Sequence, residues 1–194
     1  CIRDSAWLAY KKAVQLNPRS AAAYNGKGQI LERLGRYEEA LLAFEEAIKL
    51  ATETDDVAGY YHNKGYVLCD QQRYDKALDA YDQAIQCDPE NSTFRDRISD
   101  VPKEERDQKI LKCCNDGKLL STFYRHEEAL QLFDKALRID SNYTPAYVSK
   151  GNTLLELERY EEALRVFNKA LQLQPTHAFA YLSKGNALQK LKCH

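Results

Sequence analysis

Glycine and proline are scarce in this chain, eight and five among 194 residues. So few chain breakers point to long helices joined by brief connections. An excess of one charge is missing too. The 28 basic and 29 acidic side chains nearly cancel, so the basic footprint of a nucleic-acid binder is absent. No window approaches about 18 consecutive apolar residues, and no membrane span is expected. The six cysteines, Cys1, Cys69, Cys87, Cys113, Cys114 and Cys193, contain no CxxC pair and no metal-ligand spacing. Free thiols in a reducing cytoplasm are the simplest reading, and the cytoplasm is the expected location. HExxH, GxSxG and a phosphate-binding glycine loop are all lacking. The histidines His62, His126, His177 and His194 are scattered, so neither a cofactor nor a metal is expected.

What the chain does contain is repetition. Gly35-Arg36-Tyr37-Glu38-Glu39-Ala40-Leu41 returns as Arg73-Tyr74-Asp75-Lys76-Ala77-Leu78. It returns again as Arg125-His126-Glu127-Glu128-Ala129-Leu130 and as Arg159-Tyr160-Glu161-Glu162-Ala163-Leu164. Glycines measure the period. Gly117, Gly151 and Gly185 are spaced by 34 residues, Gly28 and Gly65 by 37, and Gly65 and Gly117 by 52. A period of this size means stacked helical units, each too small to bury its own apolar face.

A 34-residue helix-turn-helix unit resembles the tetratricopeptide repeat, or TPR. The first helix opens on Tyr24, Tyr61, Tyr147 or Tyr181, and four residues on comes Gly28, Gly65, Gly151 or Gly185. Leu31, Leu68, Leu154 and Leu188 follow. The second helix supplies Ala40, Ala77, Ala129 and Ala163, then Phe44, Tyr81, Phe133 and Phe167, then Ala47, Ala84, Ala136 and Ala170. Pro18, Pro89 and Pro175 close units. Small residues should mark close helix approach and aromatics should fill the space beside them. Nine tyrosines (Tyr10, Tyr24, Tyr37, Tyr61, Tyr74, Tyr81, Tyr147, Tyr160, Tyr181) fall at packing positions. One departure is lysine before the glycine, at Lys27, Lys64, Lys150 and Lys184, where the family usually has leucine. This Lys-Gly form resembles repeats common in archaea and cyanobacteria. The resemblance implies an all-α, right-handed α-α superhelix of antiparallel helix pairs.

The register divides the chain into the second half of a repeat at 1–20, full repeats at 21–57 and 58–91, a polar insert at 92–109, full repeats at 110–143 and 144–177, and a first half at 178–194. A slice of one longer solenoid is the reading this favours. Trp7, Leu8, Val14, Leu188 and Leu191 are then candidates for apolar exposure near the two ends. Within the insert, Pro102 followed by Glu104 and Glu105 signals a helix start. The next first helix should therefore run from about Pro102 to about Thr122. Its residues Lys103 to Lys109 should project into solvent, as part of a solvated spacer, with a dedicated partner-binding element as the alternative.

Tandem carboxylates such as Glu38-Glu39 and Glu161-Glu162 open second helices, where acidic groups suit the helix dipole. They are not a catalytic pair on this reading, and no enzyme activity is expected. In the TPR family the first helices line a concave groove. The resemblance assigns Asn25, Gln29, His62, Tyr66, Lys118, Val148, Asn152, Leu182 and Asn186 to that groove, with an apolar patch near Val148, Leu155, Phe179 and Leu182. Such a groove suits an extended or helical peptide. A carboxylate clamp is disfavoured, because Lys118 is the one cation at the fifth and ninth groove positions. The expected function is a non-catalytic protein-interaction scaffold with a protein or peptide partner, no nucleic acid and no membrane. The alternative is the substrate-recruiting TPR region of a larger enzyme such as a glycosyltransferase or kinase. Self-association through exposed terminal half repeats is a third reading.

Overall fold

The structure, a computed structural model, describes residues 2–53 and 56–192; Cys1, Cys193 and His194 lie outside the described residues. Among these residues the regular elements are all helical. The chain forms two compact units, residues 1–105 and 106–194. The first contains α1 (Ile2–Leu16), α2 (Ala21–Arg33), α3 (Tyr37–Leu50), α4 (Val57–Asp70), α5 (Tyr74–Cys87), the short α6 (Ser92–Asp96) and a 3-10 turn, Arg97–Asp100. The second is built from α7 (Lys103–Thr122), whose first turn precedes the division, α8 (His126–Ile139), α9 (Thr144–Glu156), α10 (Tyr160–Leu173) and α11 (Ala178–Lys192). Helices α2 and α3, α4 and α5, and α9 and α10 are the closely packed pairs.

One backbone turn joins first helix to second in all four repeats. Gly35, Gln72, Tyr124 and Glu158 each adopt a left-handed conformation, with φ of 72°, 58°, 61° and 59°. Around Gly35, the Arg36 amide donates to the Leu31 carbonyl and the Gly35 amide to the Glu32 carbonyl, at 2.9 and 2.8 Å. The same two bonds recur around Gln72, Tyr124 and Glu158. This is the Schellman closure, which satisfies carbonyls the helix end would otherwise leave open. The arginine after each turn then starts the second helix. Arg36 grips Glu39 through Nε and Nη2 at 2.6 and 2.7 Å, and Arg159 grips Glu162 at 2.6 and 2.8 Å. Arg125 holds Glu128 in the same way. The other carboxylate of the tandem reaches the next repeat: Glu38 accepts from Arg73 at 3.0 Å and Glu127 from Arg159 at 3.2 Å.

The core is a row of glycine-to-ring contacts. A Cβ added at Gly28 would lie 2.5 Å from the Phe44 ring, at Gly65 2.6 Å from Tyr81, at Gly117 2.8 Å from Phe133, and at Gly151 2.5 Å from Phe167. Real atoms do not approach so closely, so only glycine admits these rings. Gly185 differs, with nothing within 4 Å of its added Cβ. Two of the lysines before the glycines find ionic partners on the preceding second helix. Lys64 pairs with Glu45 at 2.8 Å, and Lys150 pairs with Asp134, each partner standing one residue after the ring. Of the nine tyrosines expected to pack, Tyr81 and Tyr160 are buried and six others are half-buried. Tyr181 departs from the expectation and is exposed.

Two expectations for residues 92–109 need correction. The first half is not a solvated spacer, because Phe94, Ile98 and Val101 are buried. They stand at i, i+4 and i+7, so a helical turn and a 3-10 turn bring them to one face while Ser92, Thr93, Arg95, Asp96, Ser99 and Asp100 face water. Asn91 opens the segment by accepting from the Thr93 amide at 3.1 Å, a cap like that of Ser20 on the Ala23 amide before α2. The expected helix from about Pro102 is α7, beginning at Lys103. Its Lys103, Glu104, Asp107 and Gln108 are exposed, but Lys109 is buried, sharing a helix face with Cys113 four residues on. Near the ends, Leu8 and Leu188 are exposed, whereas Trp7, Val14 and Leu191 are half-buried.

Candidate functional site: a cleft between first helices

A cleft of about 440 Å³ lies within the second unit. Helix α7 contributes Lys118, Ser121 and Thr122, and α9 contributes Pro145, Val148, Ser149, Asn152, Thr153 and Glu156. His177 and Phe179 close it from the start of α11, and Phe133 of α8 reaches it as well. Val148 is nearly buried and packs with Ala170, Leu171 and Ala180, so it forms an apolar floor joined to the core. Phe179 stays 53% exposed and offers a ring to any occupant. Lys118 is exposed and makes no ion pair among the described residues.

The polar wall is ordered internally. Ser121 Oγ donates to Glu156 Oε2 at 2.9 Å and lies 3.1 Å from Thr153 Oγ1. His126 Nδ1 lies 3.2 Å from the same Glu156 oxygen and 3.3 Å from Ser121 Oγ. A serine, a histidine and a carboxylate in contact invite comparison with a hydrolytic triad. Here the histidine meets both partners through one nitrogen, so no proton can be relayed across the ring. The group is a structural tie between α7 and α9. His177 has its own fixed role: the Ala180 amide donates to its Nδ1 at 3.2 Å, capping α11. At the fifth position of its repeat, Cys114 on α7 is buried and its thiol is pushed up to about 11 by desolvation, which leaves it a poor nucleophile.

The nine residues assigned to the groove are thus distributed unevenly. Lys118, Val148 and Asn152 come together in this cleft. Leu182 and Asn186 are exposed on α11. Asn25 and Gln29 are half-buried on α2, and the Asn25 amide oxygen accepts from Asn63 Nδ2 at 3.0 Å. His62 of α4 is half-buried and Tyr66 is exposed, and the insert lies against both rings. Phe94 lies against the His62 ring at 5.4 Å, Arg97 sits 5.9 Å from the Tyr66 ring centre, and Cys69 Sγ reaches the Asp100 carbonyl at 3.9 Å. Burial also holds the His62 imidazole below its ordinary value. Leu155, expected in the apolar patch, packs instead against the cluster of Leu130, Leu154 and Phe167. Sequence reasoning did not assign Ser149, Thr153, Glu156 or His177 to the cleft. The recurring first-helix register could have placed the first three on the face beside Asn152.

Residues 4–58 and 58–91 match family models described as Tetratricopeptide repeat, and residues 151–192 match one described as TPR repeat. Protein O-mannosyl-transferase Tmtc3 of Drosophila melanogaster is 28% identical over 152 residues, which are 76% of this chain and 15% of that protein. The chain therefore spans a small part of that relative's length. Among solved structures, YrrB, a TPR protein with an unusual peptide-binding site, is 25% identical, with 94% of this chain and 84% of that one covered and a TM-score of 0.41. The TPR2AB-domain:pHSP90 complex of yeast Sti1 is 19% identical, covering 98% and 78%, with a TM-score of 0.47. MamA is 20% identical, covering 91% of each chain, with a TM-score of 0.43. The family models together take in residues 4–91 and 151–192, more than half of the sequence, and the chain belongs to the tetratricopeptide repeat family.

Proposed function

We propose that this protein is a non-catalytic interaction scaffold that holds a peptide segment in the cleft between α7 and α9. The observation carrying the reading is the cleft itself, where an apolar floor at Val148 and a free ring at Phe179 meet the polar groups of Lys118 and Asn152. Apolar anchors with a few placed hydrogen-bonding groups are what peptide recognition needs. The tie of Ser121, Thr153 and Glu156 holds the walls before any partner arrives, which lowers the ordering cost of binding. Leu182 and Asn186 extend the same surface along α11, and Asn25, Gln29, His62 and Tyr66 belong to the proposed groove on the first unit. A cytoplasmic setting is part of this proposal and suits the free thiols of Cys69, Cys87, Cys113 and Cys114. Among the described residues no helix is long and apolar enough to cross a membrane.

The test is selection from a peptide library on the whole chain, followed by titration with the selected peptide. Phe179→Ala, Lys118→Ala and Asn152→Ala should each weaken binding, Phe179→Ala by about tenfold or more. Equal affinity in all three variants would sink the reading. Light scattering over a concentration series separates peptide capture from self-association through Leu182 and Leu188.

The relation to Tmtc3 favours a second reading, in which these repeats recruit substrates for a larger transferase. Reading the coding sequence on either side of this segment decides it, since a catalytic domain is either encoded there or not.

A further inference from the structure

A second cleft, of about 350 Å³, lies wholly within the first unit. Its walls carry the rings of Tyr66, Tyr74 and Tyr81 and the carboxylates of Asp70 and Asp100. Tyr81 occupies the repeat position held elsewhere by Phe44, Phe133 and Phe167. It is wholly buried, and its hydroxyl has no hydrogen-bond partner among the described residues. The sister positions do without that hydroxyl, and leaving it unbonded is unfavourable.

The cleft also collects negative potential. It sits at the C-terminal end of α4, where the helix dipole is negative and Asp70 is the last helical residue. No basic side chain occupies that last turn, whereas α2 ends with Arg33 in its own. Asp70 makes no ion pair among the described residues and is exposed. The chain supplies its own precedent at the rim. Arg97 lies 5.9 Å from the Tyr66 ring centre while pairing with Asp100 at 3.1 Å. Aromatic faces and carboxylates arranged this way attract a cation.

We propose that this cleft binds a cationic side chain, arginine or lysine, presented by a partner peptide. The cation would lie against the tyrosine rings, pair with Asp70 and donate a hydrogen bond to the Tyr81 hydroxyl oxygen. The proposal does not rest on the cleft of the second unit.

The experiment is amide NMR of the whole chain titrated with N-acetyl-arginine amide, N-acetyl-lysine amide and the uncharged N-acetyl-citrulline amide. The cationic probes should move the amides of Asp70, Gln72 and Tyr81, and citrulline should not. A larger response to arginine than to lysine would assign the site to guanidinium, and an equal one to any cationic side chain. Asp70→Asn and Tyr81→Phe should each weaken binding roughly fivefold. Both are built to fold, since Asp70 is exposed and phenylalanine already fills the sister positions. Shifts from citrulline at the same amides would overturn the proposal. So would unchanged affinity in both variants, or a cationic response that leaves these amides still.

Discussion

Gly35 and Glu158 perform one backbone task with very different side chains. Both sit in the left-handed region, at φ of 72° and 59°, inside the same pair of closing hydrogen bonds. A residue with a Cβ is strained there by about 1 kcal/mol or more. Gly35→Ala should therefore lower stability by about 1 kcal/mol, and Glu158→Gly should raise it by up to about the same amount. Denaturant midpoints measured at constant slope report both changes. A loss on Glu158→Gly would mean that the glutamate's contacts outweigh its strain. The glycines within helices behave differently again. Gly185→Ala should stabilise α11 by about 0.5–1 kcal/mol, because nothing lies within 4 Å of the added methyl and alanine is the better helix former. Lys64 and Lys150 gain meaning from their partners too. Lysine before the glycine looks like an intrusion into an apolar position, yet Glu45 and Asp134 meet it from the preceding helix. These pairs are partly exposed, so each contributes at most a fraction of a kcal/mol.

The second helices are held at their starts by electrostatics. Arg36, Arg125 and Arg159 hold the carboxyls of Glu39, Glu128 and Glu162 below the ordinary value of 4.5, chiefly through the side-chain hydrogen bond. A carboxyl with a lowered folded-state value stabilises the fold fully above its unfolded value. That contribution disappears as pH falls through the folded value. Stability should thus be level near neutrality and fall below about pH 4.5. A Glu39→Gln, Glu128→Gln, Glu162→Gln triple variant should lose part of that acid slope, and thermal melts between neutral and acid pH measure it. An identical slope in the variant would remove these pairs from the account. The segment Ser92–Asp100 shows where sequence reasoning fell short at this scale. The glycine register and the helix pairs were legible because a repeated signal reinforced each of them, and the start of α7 because Pro102 with Glu104 and Glu105 marks a helix start. Residues 92–101 carry six charged or hydroxyl-bearing side chains facing water, which masked the three apolar ones. A signal was nevertheless there. Asp88-Pro89-Glu90-Asn91 follows the pattern of Asn17-Pro18-Arg19-Ser20, the loop that starts α2. The segment begins in the register of a first helix and breaks off after one turn, with Phe94 where Ala23 and Ala180 stand. Its polar outer face and apolar inner face are those of a cap on a repeat stack. Phe94→Ala should destabilise the first unit by about 3 kcal/mol. Hydrogen exchange in α4 and α5 is the readout, and unchanged protection there would show that the segment covers nothing of consequence.

For the molecule as a whole, the groove residues were less legible than the repeats because what each one meets depends on what the chain lays beside it. His62 and Tyr66 have the same register as Val148 and Asn152, but Phe94 and Arg97 lie against them. A repeat rule sees only one unit and cannot report a neighbour that the insert supplies. The same locality governs stability. The cores are small clusters, such as Leu130, Leu154, Ala163, Phe167 and Ala187 in the second unit and Ala21, Ala47 and Tyr60 in the first. In such an array each repeat interacts with its nearest neighbours, so stability is close to a sum of local terms. A defect in one repeat should accordingly be felt nearby and fade with distance along the chain. Gly151→Val places a branched side chain where even a Cβ would meet the Phe167 ring at 2.5 Å. Overpacking of this kind costs about 1–3 kcal/mol. Hydrogen exchange should speed up several-fold or more in α9, α10 and α11, while amides of α2 and α3 keep their protection within about twofold. If α2 and α3 lost protection by the same factor as α9, the chain would be unfolding as one cooperative body, and the nearest-neighbour account of its stability would be wrong.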